Sequence, residues 1–289
     1  LKARQALGLP SETTDTYRLV NGEGDGLSGL AVDVIASRIA VIMSSAAWCQ
    51  VHEPVIMKCL GDLLPGYELI WKTTPSRLRQ DGLEVSDKED GFDYSVENRD
   101  DIEPVIGIEN GIKFQTFPHL PGQKTSVYCD QRENRWNLAQ LCQGKKVLDL
   151  CCYHGGFSLN AANHGASIVV GVDSSQEAIE TCLANAILNN LQERVQFTKS
   201  DISAYMKDCN ESFDVIILDP PKLAPSASGL EKASRKYQSL NRDALKLINK
   251  NGGLLMTCTC SAAMTQKDGG KFFLQMVQQA SLGARREIS

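Results

Sequence analysis

Apolar residues recur along the chain with two different periods. From Tyr17 to Ser45 short apolar runs alternate with turns at Gly22, Gly24, Gly26 and Gly29, which predicts strands joined by tight connections. Residues 51–64 carry Val55, Ile56, Cys59, Leu60 and Leu63 at helical spacing and stop at Pro65-Gly66. Residues 67–72 then read as a strand, and 105–117 as a hairpin turning at Asn110-Gly111. From Val147 onward the pattern changes to continuous apolar runs, read as strands over 146–150, 168–173, 195–199, 214–219 and 253–258. Helical stretches are expected between them, near 156–163, 175–189, 233–249 and 269–279. Continuous apolar strands alternating with helices predict a parallel sheet covered on both faces.

The expected fold class is α/β, a Rossmann-like sheet with a smaller N-terminal α+β domain. Residues 1–118 form that small domain and 119–289 the larger one. Sheets of this kind usually carry one or two strands more, so the second domain is expected to be truncated at its C-terminus. The first residue is Leu1 and not Met, so trimming is expected at the start as well.

Composition narrows the functional classes. A hydrophobic fraction of 42% and a charged fraction of 22% belong to a globular protein, and no apolar run approaches the length of a bilayer crossing. None of the ten cysteines falls in a paired CxxC with zinc spacing, so neither a metal nor a disulfide framework is expected. Free thiols suit a reducing compartment, the cytoplasm or an organelle matrix such as the chloroplast. The net charge of −5 argues against nucleic-acid binding by the whole surface. Locally the balance reverses. Six bases (Lys222, Lys232, Arg235, Lys236, Arg242 and Lys246) face only Glu231 and Asp243 over 222–246, whereas 84–103 holds nine acids against Lys88 and Arg99. The acidic run is read as a solvated loop.

The stretch 147–158, Val-Leu-Asp-Leu-Cys-Cys-Tyr-His-Gly-Gly-Phe-Ser, is a buried strand ending in a carboxylate, followed by a glycine-containing loop and a helix start. Ligands of open α/β sheets bind at such carboxyl ends. The G-x-G-x-x-G of dinucleotide-binding oxidoreductases is absent, since only Gly155 and Gly156 occur. A sulfonium cofactor has no phosphate to cradle; it needs one close-approach glycine and acceptors for its amino group and ribose. Asp173 ends the second strand, where an acid can accept both ribose hydroxyls, and Asp201 follows the third, where a carboxylate can bond an adenine amino group with Ile202 packed on the ring. A single such acid is more often a helix cap. Their recurrence after three strands points to S-adenosyl-L-methionine, with Asp149, Cys151, Tyr153, Gly155, Phe157, Asp173, Ser174, Asp201, Ile202 and Asp219 as candidate contacts.

The fourth strand leads into Asp219-Pro220-Pro221-Lys222, a rigid turn that presents Asp219 at the same edge. Amino-group methyltransferases usually place an aromatic residue where Lys222 stands. The fifth run delivers Cys258 and Cys260, read as sharing one side of the strand. Buried cysteine is usually a small hydrophobe. Cys260 differs by position, because a pyrimidine C5 becomes nucleophilic only after a thiolate adds at C6.

Taken with Arg18-Leu-Val-Asn-Gly-Glu-Gly-Asp-Gly-Leu-Ser-Gly-Leu-Ala-Val-Asp33, Gly122-Gln-Lys-Thr-Ser-Val-Tyr-Cys-Asp-Gln-Arg-Glu-Asn-Arg135 and Thr257-Cys-Thr-Cys-Ser261, these motifs resemble the bacterial 23S ribosomal RNA cytosine-C5 methyltransferases and their relatives. The resemblance covers nearly the whole chain. It implies a class I S-adenosylmethionine-dependent fold, large-subunit ribosomal RNA as partner, and a chain that begins just after the family's N-terminal PUA domain. It implies that Cys260, directly before Ser261, is the nucleophile, and that residues 122–135 close over the cofactor, adding Lys124, Tyr128, Asp130 and Arg132 to its contacts; Asp219 is read as the catalytic partner that hydrogen-bonds the cytosine N3/N4 edge. Ser126 stands where the family usually has glycine, and the turn after the fourth strand has no Pro-Cys. Two other readings stay open: methylation of a guanine nitrogen, which needs no cysteine, and a catalytically silent RNA-binding factor with the same fold. A homodimer also stays open.

Overall fold

The computed structural model describes residues 1–85, 102–120, 127–223 and 229–288. Most of the acidic run, together with Lys124 and Ser126, lies outside the described residues. The chain divides into two compact units, Leu1–Asn134 and Arg135–Ser289.

The first unit holds a sheet of four strands, β1 (Tyr17–Asn21), β2 (Leu30–Ile35), β3 (Ile39–Ser44) and β4 (Glu68–Thr73), in that spatial order. β1–β2 and β2–β3 are antiparallel, while β3–β4 is parallel. A parallel neighbour needs a crossover. The helices Ala47–Val51 and Glu53–Leu63 supply it, and Leu60 packs with Val32, Val34, Ala40 and Ile42 in the core. A buried charge lies on the opposite face of the sheet, where Asp33 pairs with Val41. Asp33 is fully buried and accepts two bonds from Arg18, at 2.8 and 3.0 Å, a bidentate pair that joins β1 to β2. β5 (Val105–Glu109) and β6 (Ile112–Thr116) form the expected hairpin, with positive φ at both Asn110 (52°) and Gly111 (81°) as a tight primed turn requires.

The second unit is built on five parallel strands: β7 (Lys146–Leu150), β8 (Ile168–Asp173), β9 (Val195–Lys199), β10 (Val215–Leu218) and β11 (Leu254–Thr257). Their spatial order is β11-β10-β7-β8-β9, the doubly wound order in which strand succession reverses between the first and fourth strands. β7 and β10 therefore flank the switch point, with Leu150 paired to Leu218 at its rim. Leu148, Leu150, Val172, Ile216 and Leu218 are buried on the sheet and pack with Leu240 and Ala244 of the helix Leu230–Leu247.

Three differences from the sequence reading matter for the site. β11 stops at Thr257, so Cys258 and Cys260 lie in a loop just past the strand end and not on the strand. Strand alternation therefore does not fix the relation between Cys258 and Cys260. The last helix runs Lys271–Ala284 instead of starting at residue 269, because Gly269 and Gly270 adopt φ of 62° and 86°, outside the helical region. The helix Ile202–Asp208 was not anticipated; it is too short to display a hydrophobic period.

Candidate active site

Asp149 is the innermost acid of the sheet edge. It pairs across the sheet with Ile217 on one side and Gly171 on the other, and is 1% exposed. Its Oδ2 accepts from the Ser158 amide at 3.0 Å and the Ser158 hydroxyl at 2.6 Å, so the carboxylate closes the first turn of the helix Gly156–Asn163. Gly171 makes this possible. A Cβ there would stand 2.5 Å from the Phe197 ring and 3.1 Å from the Ser158 hydroxyl. The other oxygen, Oδ1, is buried and has no hydrogen-bond partner among the described residues. Burial pushes this carboxyl up to about 7 against the pull of Ser158, with the charges of Asp219 and Asp173 adding to the rise. A cationic ligand at this edge would lower it again.

The loop between β7 and that helix is held in an uncommon shape. Cys151, Tyr153 and Gly155 have φ of 67°, 51° and 83°. Left-handed backbone at two non-glycine residues in so short a loop persists only where the surroundings impose it. The Cys151 and Cys152 amides both donate to the Val172 carbonyl, at 2.8 and 3.1 Å, and the Tyr153 amide donates to Asp173 Oδ2 at 3.0 Å. Asp173 also accepts from the Ser175 amide at 2.9 Å, tying the loops after β7 and β8 together. Beneath them His154 is buried and pushed down to about 3 by desolvation and by the Arg135 charge, so it is a neutral packing element. Gly156 allows that packing: a Cβ would stand 2.9 Å from Arg135 Cδ.

The candidate acids converge. The Cys151 thiol, pushed up to about 12, owes its shift first to burial and then to the carboxylates of Asp173, Asp149, Asp219 and Asp201. All four strand-end acids are thus near enough to one atom to act on it. No cluster of metal-binding side chains occurs among the described residues. A crevice of converging carboxylates with an unpartnered buried oxygen suits an organic cation, as a sulfonium bearing an amino group is. Asp201 caps the helix Ile202–Asp208, its Oδ1 accepting from the Ser203 and Ala204 amides at 2.9 Å each. Ile202 is buried in the core, Phe157 is buried in its helix, and Ser174 is exposed beside Asp173.

On the other side of the switch point, the Asp219 amide donates to the Leu150 carbonyl at 3.4 Å and the Cys258 amide to the Leu218 carbonyl at 2.9 Å. These bonds seat the Asp219-Pro220-Pro221 turn and the Cys258–Ser261 loop side by side. Cys258 is half-buried, and its thiol is pushed up to about 12 by burial first, then by Asp219, Asp149 and Cys260. Cys260 is exposed. None of the ten cysteines is disulfide-bonded.

Tyr128, Asp130 and Arg132 belong to the first unit. Tyr128 precedes the short turn Cys129–Gln131, Asp130 lies 3.9 Å from Arg18, and Arg132 pairs with Glu133. Sequence reasoning missed Ser158 and Gly171, the two residues that set Asp149. Both stood in plain view, but only the folded register brings them to it.

The second unit coincides with a known domain. A family model described as "Methyltransferase domain" matches residues 141–282. Ribosomal RNA large subunit methyltransferase I of Aeromonas hydrophila subsp. hydrophila is 35% identical over 275 residues, 94% of this chain and 66% of that protein. The protein of the same name from Photobacterium profundum is 34% identical over 296 residues, 100% of this chain and 71% of that one. The chain thus spans about two thirds of the length of these relatives. The crystal structure of SMU.776 complexed with SAH superposes with a TM-score of 0.78 at 24% identity, over 96% of this chain and 69% of that one. The fold is therefore the Rossmann-like S-adenosylmethionine-dependent methyltransferase fold, and the chain belongs to the ribosomal RNA large subunit methyltransferase I family.

Proposed function

We propose that the protein forms 5-methylcytosine in large-subunit ribosomal RNA through a covalent bond between Cys260 and cytosine C6. The observation that carries this reading is the seating of the Cys258–Ser261 loop against the end of β10, beside the Asp219 turn, with Cys258 half-buried and Cys260 exposed. S-adenosylmethionine, when bound, supplies the methyl group. Asp149, Asp173 and Asp201 would hold it, with Cys151, Tyr153, Gly155 and Phe157 shaping the loop around it. The cytosine enters flipped or unpaired, since C5 is out of reach in a stacked duplex. The Cys260 thiolate adds to C6 while Asp219 hydrogen-bonds the N3/N4 edge and stabilises the charge developing there. C5 receives the methyl group, a base takes the C5 proton, and the electron pair of that C–H bond expels the thiolate. Cys258, protonated, does not compete as nucleophile.

Mapping 5-methylcytosine in large-subunit ribosomal RNA from cells with and without the gene tests this reading. One modified cytosine is expected to disappear with the gene. Loss of a methylated guanine in its place would establish nitrogen chemistry, and an unchanged RNA would leave a silent binding factor.

The same reading gives the helix Leu230–Leu247 a role toward RNA. Its Arg235 and Lys236 are exposed; Arg235 pairs with Glu231 at 3.2 Å and Lys236 donates to the Ser203 hydroxyl at 2.8 Å. Arg242 and Lys246 both pair with Asp243. Exposed pairs of this kind contribute roughly 0–1 kcal/mol, so reversing Arg235 and Lys236 to Glu is expected to leave the fold intact. RNA binding should weaken and its dependence on salt should flatten, because fewer counterions are released. Parental affinity and slope would make the stretch an ordinary solvated face.

A further inference from the structure

We propose that Tyr237 is a positioning residue for the Cys260 nucleophile, acting through Thr259; the inference rests on the assignment of Cys260 above. Tyr237 lies on the helix Leu230–Leu247 and is 0% exposed. Its ring packs among Met264, Met276 and Phe273, the last edge-on with centroids 6.0 Å apart. Only its hydroxyl carries polar chemistry. That oxygen accepts from the Thr259 hydroxyl at 3.0 Å and is also hydrogen-bonded to the backbone of Leu223. One atom on a rigid helix thus joins the Asp219-Pro220-Pro221-Lys222 turn to the loop that bears Cys260.

The connection continues across the cysteine. Thr259 Oγ accepts from the Ser261 amide at 3.2 Å, so the residues before and after Cys260 are tied to each other through a side chain that is itself tied to Tyr237. Ser261 is fully buried, and its carbonyl accepts from the Met264 and Thr265 amides at 2.9 and 3.1 Å. Cys260 is thereby the exposed apex of a turn whose two feet are fixed. Both Cys260 and Asp219 act on the Tyr237 hydroxyl electrostatically, which places it beside the two groups the proposed chemistry uses. A nucleophile on a loop past a strand end would otherwise sample many orientations, and misplacement of an attacking atom by about 1 Å can reduce rate by about a hundredfold.

Tyr237→Phe keeps the ring and removes the tie. With the intact chain, the rate of denaturant-resistant adduct formation on 5-fluorocytidine-substituted RNA is expected to fall about tenfold or more. Dissociation constants for S-adenosylmethionine and RNA should stay within about twofold, since neither ligand is held by this hydroxyl; a loss in kcat without a rise in KM is the signature of lost positioning. Thr259→Val should reproduce the loss, Thr259→Ser should retain the parental rate, and Tyr237→Phe combined with Thr259→Val should be no slower than either alone. Parental adduct rates in both Tyr237→Phe and Thr259→Val would overturn the proposal. So would equal losses in Thr259→Ser and Thr259→Val, because the hydroxyl would then be irrelevant. Failure of the parent protein itself to form any adduct would instead remove Cys260 as nucleophile, and the inference with it.

Discussion

Cys260→Ala is expected to abolish both the covalent adduct and methyl transfer, the latter by on the order of a thousandfold or more, as loss of a nucleophile does elsewhere. A thiolate bonded to C6 is released only when the C5 proton leaves, and fluorine at C5 cannot leave in its place. Parent protein, cofactor and 5-fluorocytidine-substituted RNA should therefore give a complex that survives denaturation, while Cys260→Ala gives none. Cys258→Ala separates position from residue type. Burial first, and then the charges of Asp219 and Asp149, keep the thiol of half-buried Cys258 protonated, so its removal should leave adduct formation in place. Accumulation of adduct in that variant would indicate that Cys258 assists release. An active Cys260→Ala enzyme would eliminate the nucleophile, and methylated guanine in the product would identify nitrogen chemistry.

Much of this site was legible in the sequence because its parts are local. Strand ends are marked by the change from apolar run to acid, so Asp149, Asp173, Asp201 and Asp219 could be placed on one edge, and all four carboxylates act on the Cys151 thiol. The expected strands over 146–150, 168–173 and 195–199 coincide with β7, β8 and β9, since continuous burial leaves an unbroken apolar run. What escaped depends on register between distant segments. Nothing in the sequence pairs Ser158 with Asp149, opens Gly171 for the two of them, or brings the Tyr237 hydroxyl to Thr259, twenty-two residues away. The ground for reading Cys258 and Cys260 on one face, strand alternation, does not apply to them for a related reason. Strand alternation holds only while the ladder continues, and the ladder of β11 ends at Thr257.

Asp149 should show the opposite signs of effect on stability and on cofactor binding. Its carboxyl is fully buried, with Oδ1 unpartnered among the described residues, and burial pushes it up to about 7 from near 4. A folded pKa above the unfolded one means that the unfolded chain gives up its proton first as pH rises. The fold accordingly loses stability from about pH 4 up to about pH 7 and no further, by roughly 4 kcal/mol at most. Asp149→Asn removes that charge while its carbonyl oxygen can still accept from Ser158. At pH 8 the cofactor-free variant is expected to melt several degrees above the parent, and at pH 5.5, where the parent carboxyl is protonated, the difference should largely vanish. Cofactor affinity should move the other way at pH 8, falling about tenfold or more, because a cationic ligand favours the ionised acid that the empty fold disfavours. Asp173→Ala supplies the control. Asp173 is only half-buried and is held by the Tyr153 and Ser175 amides, so its loss should weaken the cofactor by roughly 1.5–3 kcal/mol without raising the melting temperature at any pH. Scanning calorimetry and titration calorimetry on the three proteins at both pH values decide the matter. If Asp149→Asn bound cofactor as the parent does, Asp149 would be a structural acid for Ser158 alone, and a lower melting temperature at pH 8 would show that its ionised form does not strain the fold.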